Sequence, residues 1–266
     1  MKKNKTIQLF ASDLDEATKE IISEYKNVTI ESTSYTKKII TTEGVNYLFC
    51  SDHIGKNTFI ANQKIKTDLK NGNFVPFEAP KQINYFGFNQ NIDFNQKELI
   101  CVDINSAYPT ELKRQNFITD ETYKYLTTNI DKIDRLRSLG MLATVKIIEE
   151  VKNQKLMSIN LKEKETGCVF FQTSFNIGEL LNEIFLSYPN YCFFYWVDGI
   201  FIKPELQNLV TDYFAQHGFE YKIENIENLQ VKNNKYLTYQ KEDKKKILFL
   251  PQEKRRVSQT VWDFIN

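Results

Sequence analysis

Apolar and polar positions change period several times along this chain. Residues 12–26 (SDLDEATKEIISEYK) put Ala17, Ile21 and Ile22 on one face behind a capping Ser or Asp, which predicts a helix. Residues 27–62 switch to period two (VTIESTSY, KKIITT, VNYLFCSD, NTFIAN), the pattern of half-buried strands. Residues 63–98 are polar, rich in Asn and Gln, contain Pro76 and Pro80, and read as loop. The apolar run from Glu98 to Asp103 reads as a strand that ends on an acid, and Pro109 marks the start of a helix. Residues 119–139 read as one helix with Tyr125, Ile130, Ile133 and Leu136 on its apolar face, closed by Gly140. Residues 141–172 read as β-structure (MLATVKIIEEV, KLMSINL, GCVFFQ) and 174–187 as an amphipathic helix. YCFFYWV, Asp198, Gly199 and IFIK read as two β-runs joined by a tight turn. A helix from Glu205 to Gln216 and a β-run from Tyr221 to Val231 follow. From residue 98 the order β, α, β-hairpin, α, β-turn-β, α, β predicts an α+β fold: a mainly antiparallel sheet with helices on one face.

Composition adds limits. At 266 residues the chain suits one large domain or two small ones, long enough for a core without staples. Hydrophobic residues at 41% and charged residues at 26% exclude a disordered chain. The apolar run Tyr191 to Val197 is too short to span a bilayer, so no membrane partner is expected. The basic start MKKNKTIQLF resembles a signal peptide, but Asp13 and Asp15 cut its apolar stretch short. Cys50, Cys101, Cys168 and Cys192 are widely spaced and form no CxxC pair. They read as reduced thiols of a cytoplasmic protein rather than as zinc ligands.

Net charge is +1, which by itself gives no sign of a nucleic-acid partner. Its distribution changes the picture. Val231 to Arg256 holds nine basic residues against three acids, a net +6 that leaves −5 on the remainder. A basic end on a mildly acidic body suits a protein that holds a polyanion at one place and cations at another.

Two carboxylates occupy unusual positions. Asp103 ends an apolar strand, and Asp198 sits at the turn between two apolar β-runs. Each alone reads as a turn Asp. Together, at matching ends of adjacent antiparallel strands, they suit divalent ions. Phosphoryl transfer uses such a pair to hold two metals about 3.5–4 Å apart. Mg²⁺ takes hard oxygen ligands and keeps several waters, so two Asp plus substrate phosphates suffice.

The stretch Cys101-Val-Asp103-Ile-Asn-Ser106-Ala-Tyr108-Pro109 resembles motif A of the family B DNA polymerases, D-x-x-S-L-Y-P, and most of all its protein-primed branch. Trp196-Val-Asp198-Gly199 resembles motif C, Y-x-D-T-D-S, with Asp198 on the second, metal-binding Asp, Trp196 in place of the first and Gly199 in place of Ser. Lys132 to Gly140 resembles motif B, K-x-x-x-N-S-x-Y-G, matching at Lys132 and Gly140. Tyr85-Phe-Gly87-Phe resembles the Y-x-G-G/A segment ahead of motif A, and Lys232-Asn-Asn-Lys235-Tyr236 the K-x-Y segment after motif C.

The resemblance covers residues 83–240 and implies an antiparallel palm, RRM-like or ferredoxin-like, with minimal fingers and thumb. It implies an N-terminal α+β module over 1–82, a palm-like domain over 83–240 and a basic tail or minimal thumb over 241–266. It implies two-metal nucleotidyl transfer to a 3′-hydroxyl or a protein primer, without proofreading. Asp103 and Asp198 would be catalytic, binding Mg²⁺ or Mn²⁺ together with the Ile104 carbonyl. Ser106, Tyr108, Lys132 and Arg135 would contact the nucleotide. Tyr85, Gly87, Lys232, Lys235 and Tyr236 would contact DNA. The implied partners are template and primer DNA, deoxynucleoside triphosphates and a terminal protein or other replication subunit, in the cytoplasm of a bacterial host if phage-encoded. Two alternatives stand beside this: a primase or protein-nucleotidylating enzyme on the same palm, and a catalytically decayed palm serving as a replication or structural accessory.

Overall fold

The computed structural model describes residues 5–11, 14–33, 35–51, 55–80, 83–94, 98–232, 236–241 and 244–249. It is an α+β protein of two compact units that interleave in sequence: 1–76 with 124–170, and 77–123 with 171–266. The unit boundaries therefore differ from the contiguous blocks 1–82, 83–240 and 241–266. Residues 124–170 return to the first unit because their hairpin adds strands to its sheet.

In chain order the elements are β1 (Lys5–Ala11), α1 (Leu14–Glu24), β2 (Asn27–Ser32), β3 (Thr36–Thr41), β4 (Val45–Ser51), α2 (Lys56–Asn71), β5 (Phe86–Phe88), β6 (Leu99–Ile104), α3 (Ala107–Arg114), α4 (Asp120–Lys124), α5 (Lys132–Gly140), β7 (Lys146–Lys152), β8 (Lys155–Lys162), α6 (Gly167–Ser187), β9 (Cys192–Trp196), β10 (Gly199–Ile202), α7 (Gln207–Gln216), β11 (Tyr221–Lys232), β12 (Tyr236–Lys241) and β13 (Lys244–Phe249).

The first unit holds a six-stranded sheet, β1-β4-β3-β2-β7-β8, with β1 and β4 parallel and the other pairs antiparallel. Val28, Ile30, Ile39, Phe49 and Val151 form its core with Ile21, Ile22 and Tyr25 of the α1 segment. The run NTFIAN and the start of the polar stretch after it, as far as Asn71, form α2 instead of a strand and loop, while the loop reading holds for the described residues from Gly72 to Tyr85. This helix buries Thr58, Ala61, Asn62, Ile65 and Leu69. Two of those five are polar: Thr58 donates to Asp134 Oδ1, and Asn62 Nδ2 donates to the Ser138 carbonyl at 2.8 Å. Polar residues on the buried face hide helical periodicity from a hydrophobic pattern.

The expected helix over 119–139 is broken. A π-turn spans Tyr125–Asn129, and Ile130 is extended at φ −129°. Thr128 Oγ1 bonds the Lys124 carbonyl at 2.7 Å, the side-chain competition that weakens helices at Ser and Thr. Asp131 then caps α5, accepting from the Asp134 amide at 2.7 Å. The break resets the phase, so Ile133 and Leu136 end up exposed and Leu139 buried.

The second unit holds a seven-stranded sheet, β13-β12-β11-β6-β10-β9-β5, antiparallel throughout. On one face Ile100, Val102, Ile104, Ile200 and Ile202 pack against Ile177, Leu181 and Ile184 of α6 and Val210 and Phe214 of α7. The other face gathers Leu99, Cys101, Phe194, Phe201, Ile226 and Leu237, a cluster of strand and loop residues. GCVFFQ belongs to α6 rather than to a strand, and residues 244–249 extend the sheet where a tail was expected. No helix among the described residues is long and apolar enough to cross a membrane. Cys50, Cys101, Cys168 and Cys192 are buried free thiols.

Gly178 of α6 is where the chain before β5 approaches most closely: a Cβ there would lie 2.3 Å from the Asn84 carbonyl oxygen. Gly178→Ala therefore forces helix and segment apart. The expected loss is about 1–3 kcal/mol, the usual cost of overpacking, measured by urea denaturation. An unchanged midpoint refutes this packing.

Candidate functional site

β6 lies in the middle of its sheet. Register on both sides is set by residues that must stay buried: Val102, Ile104 and Ile200 on the helix-covered face. A shift by one residue would turn them outward. Their alternation sends Asp103 to the opposite face. There it pairs with Gly199 of β10 on one side and Lys222 of β11 on the other.

The β9–β10 hairpin delivers Asp198 to the same end of the sheet. Two residues, Val197 and Asp198, connect the strands. Val197 has φ +55°, a strained conformation for a β-branched residue at a position where hairpins prefer glycine. The turn is anchored from both sides. The Ile104 amide donates to the Asp198 carbonyl at 2.9 Å, and the Val197 amide donates to the Tyr85 carbonyl at 2.8 Å. After Ile104, Ser106 sits at φ +50° ahead of α3. Strain on both connections beside the two acids is the kind stored at functional sites.

Gly199 is needed for space. A Cβ there would lie 3.2 Å from Asp103 Oδ1 and 3.3 Å from Cys101 Sγ. The electrostatics also bring the acids together. Burial holds the Cys101 thiol well above its usual range, and the charges of Asp103, Glu224 and Asp198 add to that, against an opposing pull from Lys241. Tyr108, packed against the helix-side core, is pushed up to about 12 by burial, with Asp198 adding to the effect and the neighbouring Ser174 hydroxyl opposing it.

Asp103 is not alone. Lys222 Nζ lies 2.9 Å from Asp103 Oδ2 and 3.0 Å from Glu224 Oε1, and Lys241 Nζ lies 2.6 Å from the same Glu224 oxygen. The result is a chain of alternating charge with no net excess. Burial alone would lower the Lys222 ammonium, but Asp103 and Glu224 outweigh it and leave it raised. Burial alone would raise the Glu224 carboxyl, but Lys241 and Lys222 hold it below the usual carboxylate range. Sequence reading missed Lys222 and Glu224. The available signal was their i, i+2 spacing in a β-run, which puts both on one face.

Beside this row stands an aromatic wall. Trp196 pairs with Phe86 of β5 and meets its ring edge-on at 5.1 Å; Tyr85 meets Trp196 edge-on at 6.3 Å. Gly87 has a packing reason, since a Cβ would lie 2.2 Å from the Tyr195 ring.

The structure thus brings together Asp103, Ile104, Ser106, Tyr108, Asp198 and Tyr85. The other expected residues belong to other elements. Lys232 is ten residues along β11 from Lys222, about 30 Å in an extended strand, and it pairs with Tyr236 where β12 begins. This backbone pair is at the far end of β11 from Lys222. Lys235 lies outside the described residues. Lys132 and Arg135 belong to the first unit. Lys132 is exposed, and Arg135 Nη1 donates to the Leu126 carbonyl at 3.2 Å, a bond that steadies the turn before α5.

Asp103 and Asp198 offer hard carboxylate oxygens of the kind that Mg²⁺ takes. The donor set is short, because no group of three or more His, Cys, Asp or Glu is placed to hold a metal among the described residues. Such a site is complete only with substrate oxygens and waters.

The depressed Glu224 carboxyl makes a pH prediction. A carboxyl whose folded value lies below its unfolded value stabilises the fold above the unfolded value, about 4.3, and loses that contribution as pH falls through the folded one. The stability advantage of wild type over Glu224→Gln is therefore expected in full above about pH 5 and is lost in more acid solution. Denaturant midpoints taken from pH 3 to 7 measure it, and a pH-independent difference contradicts the network.

No protein-family model matches the chain, and no curated protein matches it.

Proposed function

We propose that this chain is a nucleotidyltransferase of the palm type, a reduced template-directed DNA polymerase whose reacting centre is Asp103 and Asp198. One observation carries the reading: the β6–β10 register sets Asp103 opposite Gly199, one residue from Asp198, at a single end of the sheet. The topology supports it. Strands β6, β9, β10 and β11, with helices after β6 and β10, lie in the order β11-β6-β10-β9. That order resembles the β-α-β-β-α-β pattern of ferredoxin-like and RRM-like domains, which supports the palm reading.

In this reading Asp103, Asp198 and the Ile104 carbonyl would hold Mg²⁺, which when bound neutralises phosphate charge and acidifies an attacking hydroxyl. The chain's own residues do the positioning. Lys222 holds one Asp103 oxygen in place and leaves the other beside the space above Gly199. The strained Val197 turn aims Asp198. The edge of Trp196, with Tyr85, offers an apolar surface for a base next to the acids. A neutral charge network accepts a cation best when a phosphate arrives with it.

A second reading, a decayed palm that binds nucleotides or DNA without chemistry, is favoured by two observations. Lys222 already neutralises Asp103, and Trp196 stands where the family has its first motif C acid. A primase or protein-nucleotidylating enzyme uses the same centre and differs in what supplies the hydroxyl.

Primer extension in Mg²⁺ and in Mn²⁺, with and without primer, separates these. Asp103→Ala and Asp198→Ala are each expected to lower incorporation at least about 100-fold while leaving thermal stability near wild type. Incorporation that survives both variants places the chemistry elsewhere. Extension without primer assigns the primase reading, and DNA binding without incorporation by wild type assigns the decayed palm. Lys222→Met is expected to tighten Mn²⁺ binding and to cost about 1 kcal/mol, small because its side chain is 43% exposed.

A further inference from the structure

Three lysines of the first unit converge on the end of α5: Lys66 lies one helical turn beyond Asn62, whose amide bonds the Ser138 carbonyl of α5; Lys164 after β8 bonds the Met141 carbonyl just past that helix; and Lys146 opens β7 two residues after Thr144, which Lys164 also bonds. All three are half-buried. Lys164 Nζ donates to the Met141 carbonyl at 2.9 Å and to Thr144 Oγ1. Thr166 Oγ1 donates to the Leu142 carbonyl at 3.0 Å. Met141, Leu142 and Thr144 are buried, so the Lys164 ammonium is fixed against a rigid strap between α5 and β7. Lys146 Nζ reaches Glu31 Oε2 across the sheet at 3.0 Å.

Two of the three have a structural reason to be there. Lys164 caps a carbonyl at the C-terminal end of α5, where a cation is favourable. Lys146 pairs with Glu31. Lys66 has neither: it makes no hydrogen bond or ion pair among the described residues. Burial pushes its ammonium below the ordinary value and Lys146 pushes it further; burial and then the repulsion of Lys66 and Lys146 bring Lys164 down to about 8. Glu31 pairs with Lys146, and no ion pair joins Lys66 or Lys164 among the described residues. Like charges held together away from water destabilise a fold unless a counter-charge joins them. Solvated lysines swing apart; these are tethered by α2, by the strap and by Glu31. A phosphate group carries about two negative charges and several acceptor oxygens, which matches the excess of +2 left by three lysines and one glutamate.

We propose that Lys66, Lys146 and Lys164 form a phosphate-binding site of the first unit, with Lys66 and Lys164 donating to the oxyanion and Glu31 holding Lys146 behind them. The ligand is a phosphate group, supplied either by the polyphosphate of a nucleotide or by the backbone of a nucleic-acid strand. The site stands independently of the Asp103–Asp198 centre.

Thermal unfolding of the full chain tests it, with inorganic pyrophosphate titrated at constant ionic strength. A saturable rise in unfolding temperature is expected. Lys66→Met should raise the unfolding temperature without pyrophosphate, because repulsion is relieved, and weaken pyrophosphate binding about ten-fold or more. Lys66→Arg should restore binding. A nucleoside triphosphate and a short single-stranded oligonucleotide, run in parallel, show which source competes with pyrophosphate, and competition by either supports the site. The proposal is overturned if pyrophosphate gives only the unsaturable shift that sulfate gives. It is equally overturned if Lys66→Met binds pyrophosphate as wild type does, or if the variant is less stable than wild type without anion.

Discussion

The close contact between β10 and β6 at Gly199 and Asp103 is the constraint on which the second unit depends. One face of this strand pair is filled by Val102, Ile104, Ile200 and Ile202 against helices α6 and α7. Those side chains reach their buried places in one register only, because a strand alternates its faces with period two. The same alternation turns Asp103 to the opposite face, and the missing side chain at Gly199 leaves its carboxylate room. Hydrophobic burial on one side of the sheet thus places the acid on the other.

Placing a carboxylate at the end of a core strand is costly unless it is compensated, and the compensation is also built from strand alternation. Lys222 lies directly opposite Asp103, and Glu224 lies two residues on, opposite Cys101. Lys241 of β12 closes the row. Cross-strand neighbours of opposite sign make each charge tolerable without locking the end of the sheet, since Lys222 remains partly in water. Polar rows of this kind coexist with the aromatic cluster of Phe194, Phe201, Trp196 and Phe86 because the cluster fills the face next to the row.

The first unit solves its packing with different chemistry. α2 docks through Thr58 and Asn62 as well as through Ala61, Ile65 and Leu69. Its hydrogen bonds to Asp134 and Ser138 tie it to α5, which arrives from far along the chain. The β7–β8 hairpin joins the sheet through β2. This return of the chain makes the two units interleave, and it also gathers Lys66, Lys146 and Lys164 from three separate segments.

Much of the second unit was legible in the sequence because its signals are local. Asp103 after an apolar run, Asp198 at a turn between apolar runs and the amphipathic helices before and after that hairpin declare themselves within a few residues. The period-two runs of β2, β3 and β4 did so as well. α2 did not, because two of its five buried residues are polar and its partners are distant. The break at Ile130 did not, because threonine hydroxyls bonding to carbonyls leave the hydrophobic pattern unchanged. The sequence by itself determined the strands β2–β4, β6, β9 and β10, the helices α1 and α7, and the two acids, Asp103 at a strand end and Asp198 at a turn. Tertiary structure alone decided that Asp103 meets Lys222, that Arg135 donates to a backbone carbonyl, and that residues 124–170 belong with the N-terminal sheet. The physical reason is that periodicity is written in neighbouring side chains, whereas a strand's partner is chosen by which distant faces bury best together.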